Sequence, residues 1–148
     1  MKKGITALEK WLKEEGFSCK VDYTHEEFGY DWAEDILYVG APIGPEVGGW
    51  FAQFLYEYGC DVRNIDREVL PLLHELGHSM TNELFTEEEL KHWYYIKLFS
   101  YEDSYEYAFE YWSYDDEFSA NLWVMKFIEE RPDSVAALAE ALKESVSR

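Results

Sequence analysis

The chain has 148 residues, of which 47% are hydrophobic, and its 31 acidic and 13 basic side chains give a formal net charge of -18. This length and composition predict one domain, residues 1–148, with a proper hydrophobic core. An electrostatic field of this sign repels phosphates and anionic lipid headgroups, so we expect neither nucleic acid nor a membrane as a partner. The same field attracts basic peptides and cations. Solubility alone is an equally good explanation of the acidity.

The first residues carry charge but lack the unbroken apolar run of a signal peptide, and no stretch is long enough to span a bilayer. Cys19 and Cys60 have neither metal-ligand nor redox-motif spacing. Two thiols in a chain of this length are typical of a reducing compartment rather than of a disulfide scaffold. The sequence therefore predicts a cytoplasmic protein.

The first elements predict a helix followed by a small sheet. Ile5, Leu8, Trp11 and Leu12 share one face of a helix over residues 6–15, and Gly16 would end it. Residues 17–24 alternate apolar and polar side chains, as a half-buried strand does, and the more continuously apolar residues 35–40 predict a second strand. We therefore expect an α+β fold.

A glycine- and proline-rich stretch, residues 40–49, has no phosphate-loop spacing. It is interpreted as a connecting loop that borders the cleft of the functional site. Residues 50–58 are predicted to form an apolar helix that ends at Gly59. Asn64 or Asp66 would cap the next helix, with Pro71 in its first turn or at its start. Gly77 costs a helix about 1 kcal/mol relative to alanine. A close approach to a neighbouring strand would explain its presence.

The motif His74-Glu75-Leu76-Gly77-His78 lies on this helix. Residues four apart share a helix face, so both imidazoles can point at one metal ion. Glu75 projects to the side, where it can reach a water bound to that metal without being a ligand itself. The simpler interpretation is a surface helix that carries this sequence by chance.

A catalytic zinc site takes three protein ligands and keeps the fourth position for water, so one more ligand is needed. Residues 115–124 predict a helix start, with Ser113 and Asp116 as a capping pair. Glu117 heads an otherwise apolar or small face of this helix, where a buried carboxylate needs compensation such as a metal. Asn121, one turn later, could orient a ligand histidine. The alternative is that Glu117 is a first-turn acid favoured by the helix dipole.

Residues 86–90 predict another helix with threonine at its cap. Residues 101–117 hold seven acidic and seven aromatic side chains and no basic one. They are interpreted either as a helix with a core face and a solvated acidic face, or as a cleft wall that selects a basic or extended polypeptide. Tyr105, Ala108, Phe109 and Trp112 keep helical spacing within the stretch. A last amphipathic helix is expected over residues 133–146.

The motif at 74–78, followed about forty residues later by Glu117-Phe118-Ser119-Ala120-Asn121, resembles gluzincin metallopeptidases. It is most similar to the small ImmA/IrrE-type peptidases of bacteria and phages. The resemblance covers the two ligand helices and the strands before them, about a third of the chain. It implies a zincin-like fold, in which a small sheet packs on the active-site helix and several further helices surround it. In that family an edge strand of the sheet can receive an extended substrate.

Carried over to this chain, the resemblance implies His74, His78 and Glu117 as ligands of Zn²⁺ and Glu75 as general base. Two departures limit it: the segment between the motifs is long and unusually aromatic, and the chain has no helix-turn-helix region of the kind that some relatives carry. The substrate of a particular relative therefore cannot be transferred.

The predicted function is a zinc metallopeptidase that cleaves a protein or peptide substrate, with a bound water activated by zinc and deprotonated by Glu75. Tyr107, Tyr111, Tyr114 and His92 are the candidate donors to the developing oxyanion, and the sequence does not choose among them. His25 and His92 have no partner at metal spacing. Two alternatives stay open: an acidic interaction protein without enzymatic activity, such as a phage-encoded decoy for a basic surface, and a zincin fold that binds metal but does not cleave.

Overall fold

The computed structural model of the chain describes residues 4–42, 44–99 and 104–146, apart from the side chains of residues 98 and 99. Helices dominate this part of the chain and three short strands form one sheet, which confirms the predicted α+β class. No helix in the described ranges combines the length and apolar character needed to cross a bilayer. The elements in chain order are α1 (Ala7–Glu14), β1 (Lys20–Asp22), β2 (Gly29–Asp31), β3 (Ile36–Tyr38), α2 (Pro45–Glu57), α3 (Val69–Thr81), a short 3-10 helix (Asn82–Leu84), α4 (Glu87–Phe99), α5 (Tyr105–Tyr111), α6 (Asp115–Glu130) and α7 (Pro132–Ser145).

The sheet has the order β1-β3-β2, with β1 parallel and β2 antiparallel to β3. Leu37 sits at its centre, paired with Val21 on one side and Tyr30 on the other, and is fully buried. The two predicted strands are present but shorter than predicted. β2 was not predicted, because Gly29-Tyr30-Asp31 is too short for an alternating pattern to show. This third strand packs against α3.

The N-terminal helix forms where its cap and apolar stripe predict it. The hydroxyl of Thr6 accepts a hydrogen bond from the backbone N–H of Glu9 at 3.2 Å, which satisfies one of the free donors of the first turn. Leu8, Trp11 and Leu12 are buried against α7. Gly16 follows the helix with φ 89°, a left-handed conformation that glycine adopts without strain.

Helix α2 starts five residues earlier than predicted. It begins at Pro45, so residues 45–49 of the predicted loop are helical. Proline is favourable in the first turn, because its φ is already helical and its missing N–H would have no partner there. Gly48 and Gly49, two of the four glycines that suggested a loop, are helical. Gly59, with φ 89°, follows the end of the helix as expected.

Two central helices, α3 and α6, pack closely against each other. A Cβ added to Gly77 would lie 2.5 Å from the backbone oxygen of Ala120, so only glycine permits this approach. Gly77 was predicted to face a strand; the neighbour is a helix instead. The predicted cap by Asn64 or Asp66 is wrong, because the N-cap residue of α3 is Glu68 and it makes no side-chain cap hydrogen bond. The Asp66 carboxylate instead accepts a hydrogen bond from the Glu68 N–H at 3.0 Å, in the turn before the helix. Pro71 lies in its first turn.

The aromatic stretch before α6 is mostly helical and packs as its spacing predicted. Residues 100–103 lie outside the described part of the chain, and Tyr105–Tyr111 forms α5. Trp112 is buried with Phe51 and Phe54 of α2, with ring centroids 4.9 and 5.6 Å from theirs. The predicted capping pair of Ser113 with Asp116 is wrong: the Ser113 hydroxyl donates to the Phe109 carbonyl, and the N-cap residue of α6 makes no side-chain cap hydrogen bond.

The remaining helix ends agree closely with the sequence. Thr86 caps α4, since its hydroxyl accepts from the Glu89 N–H and the Glu89 carboxylate accepts from the Thr86 N–H. Helix α7 begins at Pro132, one residue before its predicted start. Cys19 and Cys60 are both free thiols.

Candidate metal centre

Helices α3 and α6 bring three possible metal ligands to one point. His74 and His78 lie one turn apart on α3, and Glu117 lies in the first turn of α6. Oε1 of Glu117 is 2.8 Å from Nε2 of His74 and 3.1 Å from Nε2 of His78, and the two Nε2 atoms are 3.2 Å apart. Among the described residues, this His-His-Glu group has the donor atoms and spacing to hold a metal ion.

The size and chemistry of this triangle fit a divalent metal. Ligands at tetrahedral angles and roughly 2.0–2.1 Å from zinc lie about 3.3 Å from one another, close to the separations of these three atoms. Two imidazole nitrogens and one carboxylate oxygen form a ligand set found at catalytic zinc sites. All three atoms carry lone pairs toward the same point, so a positive charge has to lie between them, either a metal ion or bound protons.

Asn121 fixes the orientation and tautomer of His74. Its amide nitrogen donates to the backbone oxygen of Trp112 at 3.3 Å, so its Oδ1 is the atom that faces the histidine, 2.7 Å from Nδ1. An oxygen cannot donate, so a hydrogen is on Nδ1 of His74, and in the neutral ring that binds a metal Nε2 keeps its lone pair toward the cluster. Asn121 is fully buried. Asn121 is therefore in contact with His74, as its predicted orienting role requires.

The electrostatics of the cluster favour an ionised Glu117. Its burial opposes the charge, but the charge of His78 and hydrogen bonds with both histidines outweigh this effect and hold the pKa of Glu117 well below its ordinary value. Burial likewise opposes protonation of His78, but the neighbouring Glu117 charge prevails and raises the pKa of His78 to about 9. In the absence of metal, a proton on His78 thus supplies part of the positive charge that the triangle requires.

Lys97 of α4 adds a cation that the sequence analysis missed. Its Nζ donates to Oε2 of Glu117 and to Oδ2 of Asp116, both at 2.7 Å. Burial lowers the pKa of Lys97, but the two carboxylates raise it overall, so the lysine is charged. Because Oε2 of Glu117 is held by Lys97, Oε1 is the oxygen presented to the histidines. The other oxygen of Asp116, Oδ1, is buried without a hydrogen-bond partner among the described residues.

One signal in the sequence pointed to this lysine. No lysine or arginine occurs between Lys97 and Lys126, although this segment contains the acidic stretch and Glu117 itself. A single cation before such a segment is a candidate partner for a buried carboxylate. Which acid it would reach could not be foreseen, because that depends on how α4 crosses α6.

Glu75 faces a cavity beside the histidines. The cavity has a volume of about 710 Å³, and Glu75 and His74 form part of its wall. Burial raises the pKa of Glu75, while the nearby histidines act in the opposite direction. A carboxyl group with a raised pKa in a cleft beside possible metal ligands is a candidate general base.

The four candidate oxyanion donors separate into two pairs. Tyr107 and Tyr111 line the cavity, whereas Tyr114 and His92 do not. Burial raises the pKa of Tyr111 well above its ordinary value, so its hydroxyl keeps the proton that it would donate. The Tyr114 ring stacks on Trp93, and so Tyr107 and Tyr111 remain the candidates.

His25, which has no partner at metal spacing, is exposed and stacks on Tyr38 with ring centroids 4.3 Å apart.

Comparison of the chain with protein-family models, with curated proteins and with solved structures found no match.

Proposed function

We propose that the protein is a zinc-dependent metallopeptidase. The observation that carries this proposal is the convergence of His74, His78 and Glu117 on one point, beside a cavity that also exposes Glu75. A structural metal site is normally closed by four protein ligands. A three-ligand group next to a cavity of substrate size suits catalysis better, because the cavity gives water and substrate access to it.

The chain's own residues can perform the acid–base steps of peptide hydrolysis. A bound zinc ion would supply a Lewis acid and lower the pKa of water at the site. Glu75 would take a proton from the attacking water and give it to the amine that leaves. Tyr111 and Tyr107 line the same cavity and carry hydroxyl groups that can stabilise charge on the carbonyl oxygen. The Tyr107 hydroxyl would have to leave the Lys97 carbonyl, to which it donates at 3.5 Å.

The proposal also covers the family, the fold type, the substrate-binding strand and the cellular location. The order of the motifs is that of a gluzincin, and a sheet packed against the helix that carries the first motif agrees with a zincin-like fold of the ImmA/IrrE type. Since α3 packs against β2, the edge strand that could receive a substrate by strand addition is β2 rather than β1. We also propose a cytoplasmic location and a polypeptide substrate.

A second candidate function rests on Lys97. This lysine already compensates Glu117 without a metal, which favours a metal-free acidic protein that binds the basic surface of a partner. The two candidates differ in a quantity that can be measured directly, the metal content of the purified chain. A third possibility, metal binding without cleavage, differs from the first only in activity.

The deciding experiment is elemental analysis of protein purified without added metal. We expect about one zinc per chain in the wild type and none in a His74→Ala, His78→Ala double variant. The matched control is His25→Ala with His92→Ala. It also removes two imidazoles, but from positions outside the cluster, and should keep the metal. Absence of zinc from all three proteins, with no rise in thermal stability when zinc is added, would contradict the proposal in favour of the metal-free protein.

Hydrolysis is tested with an unstructured protein substrate such as casein. The zinc-loaded wild type should cleave it, and a chelator or Glu75→Gln should abolish cleavage. Equal metal content in wild type and Glu75→Gln would assign the loss to the base. Cleavage that survives in Glu75→Gln would remove this residue from the mechanism.

A further inference from the structure

The cavity beside Glu75 is bounded by several segments from different parts of the fold. Residues 26–28 come just before β2, residues 41, 42 and 44 precede α2, and residues 47, 50 and 51 lie on α2. Helix α5 and its N-cap supply residues 104, 107, 108 and 111, and Pro71 and Trp112 complete the wall. At its inner end the cavity reaches His74 and Glu75. A group bound in it would therefore lie next to the proposed reacting centre.

Aromatic rings form most of the apolar wall and brace one another. Phe51 packs on Trp112 with centroids 4.9 Å apart, and Tyr107 lies 6.2 Å from Tyr111. Phe51 and Trp112 are also buried in the core, so this wall is held in place without a ligand. A volume of about 710 Å³ lies in the range of sites that bind small molecules or several side chains.

The outer part of the cavity is acidic, and its acids are not those of the aromatic stretch. Glu26 and Glu27 line it and are exposed, whereas Glu106 and Glu110 are not part of the wall. No lysine or arginine of the described residues lines it.

The backbone of residues 26 and 27 packs tightly against residues 40 and 41, which follow β3. The Ala41 N–H donates to the Glu26 carbonyl at 3.1 Å, and a Cβ on Gly40 would fall within 2.6 Å of the Glu27 backbone. Tight packing thus fixes the backbone from which the two glutamate side chains extend.

We propose that this cavity binds a bulky apolar or aromatic side chain of a polypeptide and that Glu26 and Glu27 select a basic residue beside it. The inference rests on the proposed function, since it assigns the substrate class of the same site. An aromatic side chain gains by leaving water for the braced rings. A lysine or arginine nearby gains from the two carboxylates, an interaction that salt weakens.

The test measures binding rather than cleavage, so that it does not depend on catalysis. Glu75→Gln protein, with and without zinc, is titrated with four fluorescent peptides of the pattern Gly-Ala-Xaa-Ala-Zaa-Gly. Xaa is phenylalanine or alanine, and Zaa is arginine or glutamate. We expect the Phe/Arg peptide to bind about tenfold or more tightly than the Ala/Arg peptide. It should also bind several-fold more tightly than the Phe/Glu peptide at low salt.

Charge-reversal variants test whether Glu26 and Glu27 cause the preference for the arginine peptide. Glu26→Lys with Glu27→Lys should reverse the preference between the arginine and glutamate peptides. The matched control, Glu129→Lys with Glu130→Lys, makes the same change of charge at two exposed residues outside the cavity and should leave the preference intact. Circular dichroism confirms that both variants fold, since all four positions are exposed.

The outcomes separate this inference from the proposed function. Equal affinity for the phenylalanine and alanine peptides, or equal effects of the two double variants, would overturn the inference even if zinc is bound and casein is cleaved. The expected preferences in a protein that neither binds zinc nor cleaves would support the cavity's specificity and overturn the peptidase.

Discussion

Replacing Gly77 by alanine tests whether the contact between α3 and α6 positions the metal site. The added Cβ would lie 2.5 Å from the Ala120 backbone oxygen and 3.1 Å from its Cα. An ordinary contact needs about 3.5 Å, so the helices have to separate by roughly 1 Å. Overpacking of this kind costs about 3 kcal/mol at its upper end. The better helix propensity of alanine returns about 1 kcal/mol, which leaves a net destabilisation of about 2 kcal/mol.

The same separation should weaken metal binding. His74 and His78 lie on α3, and Glu117 lies one turn before Ala120 on α6. Metal–ligand distances are held to within about 0.2 Å, so a displacement of about 1 Å between the helices should lower zinc affinity about tenfold or more. Urea denaturation in the presence of a chelator measures the first effect. Competition with a chromophoric chelator measures the second.

Gly49→Ala is the matched control. Gly49 also lies inside a helix, but a Cβ there would meet only the Arg67 side chain, at an ordinary 3.7 Å. This substitution should stabilise the protein by about 0.5–1 kcal/mol and leave zinc affinity unchanged. If Gly77→Ala is stabilised to the same extent and still binds zinc as the wild type does, the close approach of the two helices is not what positions the site.

Three further predictions follow from single contacts. Asn121→Ala, which frees the His74 ring, should lower zinc affinity about 10–100-fold in the chelator competition, and an unchanged affinity would contradict its orienting role. Lys97→Met should destabilise the metal-free protein by about 3–5 kcal/mol in urea, because two buried carboxylates lose their cation; a loss below about 1 kcal/mol would count against the pair. Burial and the charge of Asp35 raise the pKa of Cys19 to about 11. Its alkylation by iodoacetamide at pH 8 should therefore be about 100-fold slower than that of a free thiol and should reach the ordinary rate in urea.

The sequence predicted those parts of the site that depend on spacing within one helix. His74, Glu75 and His78 are related by helix geometry alone, and this geometry holds wherever the helix lies. Glu117 and Asn121 were predicted in the same way, as polar groups on an apolar face of a second helix. Their meeting with the histidines required only that the two faces pack together.

Features that depend on contacts between elements could not be predicted. Lys97 reaches Glu117 from α4, and no local pattern specifies that crossing. The acids of the cavity, Glu26 and Glu27, precede a strand too short to be recognised, and the sequence pattern pointed instead to the acids of residues 101–117. Gly77 was correctly expected to need a close neighbour, but propensity cannot tell whether that neighbour is a strand or a helix.

The charges around the cluster predict that zinc binding releases protons. With a divalent ion, Glu75, Asp116 and Glu117 ionised, both histidines neutral and Lys97 charged, the formal charge of the site is zero. Without the ion this state has a charge of about -2, which burial opposes. The raised pKa of Glu75 and the pKa of about 9 at His78 are what such a site requires, because protons then replace the metal charge. At pH 7 zinc should displace at least the proton on His78, and up to two protons if Glu75 is also protonated. Calorimetric titration in two buffers of different ionisation enthalpy counts these protons. Zinc binding without proton release would contradict a protonated His78 in the metal-free site.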